Sequence, residues 1–398
     1  MTARVARRLV RILLARLDVG SLVVIEAGER RVYGSGPPAA TVDMRSPRAW
    51  PMLLRGSRGL ADAYAAGMWD SPDLVAVIAL AARNAARLDH LRAPLAPLRA
   101  SLGRVRALTR PSTRRRRRRD VGAHYDLGNQ LFSLMLDQTM SYSCALFEHQ
   151  NMTLEQAQLA KLEQVCEKLD IGPEDRVLEI GTGWGGFALY AAATRGCHVT
   201  TTTISREQHA YARERIREAG LSHLVTVLKE DYRDLRGSYD KLVSVEMIEA
   251  VGWRHLGAFF RRCSGLLAPE GAMLLQAITI DDRAYDVEKA KRSFANTHVF
   301  PGGCLPSLGA ISRSVARVTD LRPIHVEDIT AHYVQTLRCW RENFLAHLEH
   351  VRSLGYDGRF QRMWELYLAY CEGGFGGGRI ADVQLLLAKP QGTLAAGD

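Results

Sequence analysis

The hydrophobic period changes along the chain. At the N-terminus Val5, Leu9, Ile12 and Leu13 share one face at helical spacing, and Arg4, Arg7, Arg8 and Arg11 lie largely on the other; this predicts an amphipathic helix. The run Ser21–Glu26 predicts a strand, and apolar stretches around Gly59–Tyr64 and Gly67–Asp70 predict compact helical turns. Pro94, Pro97 and Pro111 then flank a basic stretch that reads as a linker. From Asp170 onward short apolar strands alternate with helices. The strands are Arg176–Ile180, His198–Ile204, Leu224–Lys229, Tyr239–Glu246 and Gly271–Ile280; the helices are Trp184–Arg195, Arg206–Gly220 and His255–Leu267. This order predicts a doubly wound α/β fold whose sheet is mostly parallel. Leu321–Glu327 and Arg379–Lys389 complete the sheet, the last strand antiparallel, with a long helix over His332–Arg352 and a flexible glycine turn over Glu372–Gly378. The organisation expected is a smaller N-terminal α/β domain at 1–90, a basic linker at 91–120 and a catalytic domain at 121–398.

Composition adds limits. A hydrophobic fraction of 47% with 24% charged residues argues against global disorder. The longest unbroken apolar run, Leu74–Ala82, is far shorter than the roughly 20 residues of a membrane-crossing helix. Arginines interrupt the N-terminal apolar segment, which makes it a poor secretory signal. The cysteines, Cys144, Cys166, Cys197, Cys263, Cys304, Cys339 and Cys371, are odd in number and show no metal-ligand spacing, so neither a disulfide framework nor a metal site is indicated. A cytoplasmic protein with reduced thiols is the expectation.

The net charge is +10, and six of the positive charges form the run Arg114–Arg119. Such a run calls for an anionic partner, nucleic acid or an anionic membrane surface, unless it is a solvated linker. A second basic element in the same chain, the N-terminal helix, tilts the balance toward lipid, because an arginine-rich amphipathic helix can lie in a bilayer interface. A nucleic-acid methyltransferase would be expected to carry an N/D-P-P-Y string or a Pro-Cys motif, and neither occurs.

The strand Arg176–Ile180 runs into Glu179-Ile-Gly181-Thr-Gly183-Trp-Gly185-Gly186. The glycines let the backbone turn sharply and a ligand approach closely. The string G-x-G-x-x-G raises a dinucleotide enzyme. Such enzymes usually hold the ribose with an acid about 20 residues on, and no acid lies between Gly181 and Ile204. The acid instead precedes the glycines, at Glu179, as in the loops that bind S-adenosylmethionine (SAM). A sulfonium calls for aromatic faces and carboxylates; Trp184, Tyr142 and Tyr232 are candidate neighbours.

Further strings follow in order: His124–Asn129, Met140–Ala145, Thr203–Gln208, Asp231–Asp234, Ser244–Gly252, Phe300–Pro306 and His332-Tyr333. This succession, over about 120–390, resembles the cyclopropane-fatty-acyl-phospholipid synthases and mycolic acid cyclopropane synthases, and the N-terminal part resembles the extra domain of the phospholipid-acting members. The resemblance implies a Rossmann-like SAM methyltransferase that adds a carbon across the cis double bond of an unsaturated acyl chain in membrane phospholipid. The carbocation so formed loses a proton to a bound bicarbonate and closes a cyclopropane; a hydride shift first gives a methylene or methyl branch instead. A remote alternative is a nucleic-acid or small-molecule methyltransferase.

The resemblance also implies the site residues. Cys144, Glu249, Ile278 and Tyr333 would hold bicarbonate: Cys144 and Ile278 through the backbone, Glu249 as an acceptor, Tyr333 as a phenol donor. Many members carry a histidine where this chain has Gln276, which can donate a hydrogen bond but not relay a proton. Glu246 is read as orienting the loop before Glu249. SAM contacts would come from Tyr142, Ser143, Glu179, Gly181, Gly183, Trp184, Gly185, Thr203, Ser205, Gln208, Tyr232 and Arg233. The implied partners are the acyl chain and an anionic phospholipid surface on the inner face of the membrane, with no nucleic acid and, by resemblance alone, a possible homodimer.

Overall fold

A computed structural model describes residues 2–92, 127–289 and 291–392. All but the first two residues of the expected linker, with Arg114–Arg119, and also His124–Asp126, lie outside the described residues. Contacts divide the chain into two units. The first joins the described part of Met1–Arg110 to Asp286–Pro301 and Leu337–Ile380; the second holds the described parts of Pro111–Tyr285, Gly302–Thr336 and Ala381–Asp398.

The second unit is built on β4 (Arg176–Ile180), β5 (His198–Thr202), β6 (Val225–Leu228), β7 (Tyr239–Val245), β8 (Leu267–Ile280), β9 (Arg322–Asp328) and β10 (Ile380–Ala388). Their order across the sheet is β6-β5-β4-β7-β8-β10-β9. The pairs β4–β5, β5–β6, β4–β7 and β7–β8 are parallel, and β9–β10 is antiparallel. Side chains alternate across the pleat. Leu178, Leu242, Met273 and Leu275 pack on one face with Phe259 and Phe260, while Val177, Val243, Ala272 and Leu274 pack on the other with Val165 and Ala188. From β4 the chain steps one way to β5 and β6, then returns to β7 and β8 on the other side. In such sheets a crevice opens beyond the carboxyl ends of the two strands at the switch, here β4 and β7.

The first unit carries a three-stranded sheet of β1 (Gly20–Glu26), β2 (Glu29–Ser35) and β3 (Ala39–Met44), ordered β2-β1-β3 with β1–β2 antiparallel and β1–β3 parallel. The helix Ala3–Leu14 turns Ala6 and Val10 inward. Arg7 and Arg11 bond Glu26, which also accepts the Trp50 indole N–H at 2.8 Å. Arg362 seals another corner: its guanidinium lies 3.9 Å over the Tyr64 ring and donates to the carbonyls of Tyr64 and Trp69 at 2.8 and 3.1 Å.

Two expectations require correction. Glu372–Gly378 is not a flexible turn: the helix Gly358–Gly376 runs through most of it. A Cβ on Gly373 would lie 2.7 Å from the Ile78 Cβ and 2.8 Å from the Val75 carbonyl oxygen. On Gly377, just past the helix end, it would lie 2.6 Å from the Ala82 Cβ. These glycines allow close approach to the helix Leu74–Arg92, and that packing outweighs their poor helix propensity. The helix expected over His332–Arg352 is two, Thr330–Ala346 and Leu348–Ser353, interrupted at His347.

Candidate active site

The glycine loop leaves the end of β4 between aromatic and polar groups. Gly183 adopts φ +52°, with nothing within 4 Å of where a Cβ would stand, whereas one on Gly181 (φ +112°) would meet Met247 at 3.3 Å. Glu179 is buried and accepts the Thr201 hydroxyl at 2.6 Å; burial pushes its carboxyl up to about 8. Trp184 donates its indole N–H to Asn129 at 2.7 Å. Its ring, and that of half-buried Tyr142, pack on Phe132 at 4.8 and 5.2 Å between centroids.

At the end of β5, Thr203, Ser205 and Gln208 form one network. The Thr203 hydroxyl donates to the Gln208 side chain at 2.9 Å, and the Ser205 hydroxyl accepts the Gln208 backbone N–H at 3.2 Å, capping the helix Arg206–Glu218. Beyond β6, Arg233 pairs with Asp231 at 2.7 Å and stacks on Tyr232, which also packs against Phe259. Ser143 is fixed from the helix Leu154–Lys168: Gln158 donates to its carbonyl at 2.8 Å and Lys161 to its hydroxyl at 3.0 Å. Lys161 is almost fully buried, which lowers its pKa, while the nearby carboxylates Glu246, Asp137 and Glu179 oppose the shift. The loop thus offers a carboxyl group, aromatic faces and open space at Gly183, an arrangement that suits a nucleoside-bearing sulfonium, whose positive charge would favour the ionised form of Glu179.

The groups expected to hold an anion converge on a protein side chain. The Cys144 backbone N–H donates to Glu246 Oε1 at 2.8 Å, the Gln276 amide to the same oxygen at 2.9 Å, and the Tyr333 phenol to Oε2 at 2.5 Å. The Ile278 backbone N–H donates to Glu249 Oε1 at 2.7 Å. Glu246 therefore does more than orient the loop. It takes φ +47° immediately after β7, a conformation that costs a non-glycine residue on the order of 1–3 kcal/mol and persists only where its surroundings impose it. The Cys144 thiol points elsewhere, toward the carbonyls of Ala145 and Ile329, and burial pushes its pKa well up, so it is no ready nucleophile.

Asp382, which no sequence motif singled out, completes the cluster. It lies on β10, fully buried, and accepts the Gln276 amide at 3.0 Å; Gln384, two residues on, donates to the Gln276 carbonyl oxygen at 3.2 Å. A carboxyl and an amide two apart in an otherwise apolar strand were the available signal, since such residues share a face. Three carboxyls thus meet at one place, and they cannot all be ionised. Burial pushes Asp382 well up, helped by the charge of Glu246. Burial and Glu246 push Glu249 up to about 8. Burial also raises Glu246, against the opposing effect of its donors. Asp382 also lies within hydrogen-bond reach of Glu246, and a proton between the two carboxyls relieves their repulsion. A bicarbonate here would compete with Glu246 for its donors and add negative charge to the cluster, so these residues do not fit it.

A profile of the mycolic acid cyclopropane synthetase family matches residues 112–385. Tuberculostearic acid methyltransferase UfaA1 of Mycobacterium tuberculosis is 37% identical over 383 residues, covering 90% of this chain and 87% of its own. The cyclopropane-fatty-acyl-phospholipid synthase of Escherichia coli K12 is 38% identical over 359 residues, covering 89% and 88%. Among solved structures, the mycolic acid cyclopropane synthase CmaA1 complexed with SAH and CTAB superposes with a TM-score of 0.64 at 29% identity, covering 68% of this chain and 98% of that one.

Proposed function

Because the chain belongs to the mycolic acid cyclopropane synthetase family and is thereby a SAM-dependent methyltransferase, we propose that it adds one carbon across the cis double bond of an unsaturated acyl chain in membrane phospholipid, closing a cyclopropane. The observation that carries this reading is the pairing of the Glu179–Gly185 loop with the buried acidic cluster at the neighbouring ends of β4, β7 and β8. SAM, when bound, supplies a methyl group on a positively charged sulfur. Glu179 and Tyr142 would face that charge, and Thr203, Ser205 and Gln208 would shape the far side of the pocket. An alkene is a weak nucleophile, so its placement against the methyl carbon supplies much of the rate. After transfer the acyl chain carries a carbocation, and the acidic cluster provides for its deprotonation. No step is routed through bicarbonate.

A second product follows from the same steps. If a hydride moves to the cation before the proton leaves, the result is a methylene branch.

Membrane contact is proposed for the N-terminal helix. Val5, Leu9, Ile12 and Leu13 are 52%, 43%, 46% and 55% exposed, flanked by the exposed Arg4, Arg8 and Arg16. This apolar stripe with basic margins suits the interface of an anionic bilayer. Among the described residues no helix is long and apolar enough to cross one.

The test is incubation of purified protein with SAM and vesicles of unsaturated phospholipid, followed by mass spectrometry and NMR of the lipids. The reading expects a gain of one CH2 per modified chain and ring-proton resonances; exomethylene resonances would select the second product. Unmodified lipid in the presence of bound SAM would refute both.

A further inference from the structure

We propose that the Glu246 carboxylate is itself the base that removes the proton from the newly transferred methyl carbon. The inference rests on the acyl-methylation reading above and changes who accepts the proton. Cys144 and Tyr333, which the family resemblance assigns to bicarbonate, and Gln276, which stands where many members carry a histidine, donate to Glu246 instead.

The cluster also indicates which carboxyl carries the charge. Glu246 accepts from a backbone N–H, an amide and a phenol, and hydrogen bonds to the ionised form favour it. The side-chain and cross-strand donors to the other two are fewer: the Ile278 backbone N–H for Glu249 and the Gln276 amide for Asp382. Asp382 is fully enclosed, whereas Glu246 is only half-buried, at the end of β7. The backbone strain at φ +47° directs its side chain to these donors.

The electron count closes without an added reagent. The π pair of the acyl double bond forms the new C–C bond to the methyl carbon, and sulfur keeps the pair of the broken S–C bond. A C–H bond of the new methyl then breaks: its proton goes to a Glu246 oxygen, and its electron pair forms the ring bond. In the branched product the same pair forms the exocyclic double bond. Glu246 returns its proton to solvent between turnovers.

The experiment uses the full chain in carbonate-free buffer. Wild-type turnover is expected to be unchanged by removing bicarbonate. Glu246→Gly is expected to lose about 10²–10⁴-fold in kcat, the usual worth of a positioned base, with SAM affinity retained by calorimetry. Formate or bicarbonate should restore part of that rate in a saturable way. Glu246→Gln, which fills the same space, is expected to lose the same rate with no rescue. Independently of turnover, ¹³C-bicarbonate NMR should show saturable binding to Glu246→Gly and none to wild type. The proposal is overturned by wild-type turnover that falls on bicarbonate removal, by saturable bicarbonate binding to wild type, or by Glu246→Gln at the wild-type rate. Wild-type protein that binds SAM but methylates no acyl chain instead fails the functional reading, and the NMR contrast still decides whether Glu246 fills the anion's place.

Discussion

The Tyr333 hydroxyl donates to Glu246 Oε2 at 2.5 Å, joining the first turn of the helix Thr330–Ala346 to the end of β7. A hydrogen bond to a charged group is worth about 1.5–3 kcal/mol. Tyr333→Phe is therefore expected to lower kcat by roughly 10- to 150-fold and to leave SAM affinity within about twofold. Steady-state kinetics with calorimetric SAM titration checks this; an unchanged kcat would remove Tyr333 from the site.

Glu249 gives the pH prediction. Its carboxyl is raised to about 8 by burial and by Glu246, so in the folded protein it holds a proton that the unfolded chain releases above its ordinary pKa of 4.5. The native state then binds more protons than the unfolded state between these values, and stability falls as pH rises through that window. Glu249→Gln removes the titration. It is expected to stabilise the protein relative to wild type more at about pH 8 than at about pH 5, by denaturant unfolding at both. It should also retain SAM binding while turning over far more slowly. An equal effect on stability at both pH values would place Glu249 outside the buried cluster.

Packing of the helix Gly358–Gly376 makes a paired prediction. Gly373→Ala would bring a Cβ to 2.7 Å from Ile78, and overpacking of about 1–3 kcal/mol outweighs a helix-propensity gain of about 1 kcal/mol. A net loss of stability is expected. Gly358→Ala, with nothing within 4 Å of its Cβ, is expected to gain about 0.4–1 kcal/mol. Thermal unfolding of the two variants should move in opposite directions.

The N-terminal helix separates apolar from ionic membrane binding. Leu9→Glu with Ile12→Glu changes exposed positions and should leave the fold intact, yet weaken binding to anionic vesicles by at least about tenfold through lost apolar burial. Neutralising Arg114–Arg119 should mainly reduce the salt dependence of that binding. Vesicle sedimentation at several salt concentrations distinguishes the two; unaltered binding in the helix variant would clear its stripe of the role.

The strands were legible because apolar runs broken by glycine and polar turns have few other folds available, as at Arg176–Ile180 and His198–Thr202. The glycine loop was legible for the same local reason, with Glu179 in place before it. The acidic cluster was not. Glu246 and Glu249 lie three apart, and spacing alone does not show that a left-handed backbone turns the first of them onto Cys144, Gln276 and Tyr333. Asp382 reaches Gln276 only through the pairing of distant strands. Gly373 reads locally as a turn because its reason for being glycine, the helix bearing Ile78, is far away in sequence.

The central claim is that a methyl group from SAM ends on an acyl chain after giving up one of its own hydrogens. Turnover with SAM trideuterated in the methyl group, followed by mass spectrometry of the product lipid, reads this directly. Two deuteriums retained per added carbon is the expected result, for ring and methylene branch alike. Three retained, or none incorporated, would contradict deprotonation of the transferred methyl and with it the role of the Glu246 cluster.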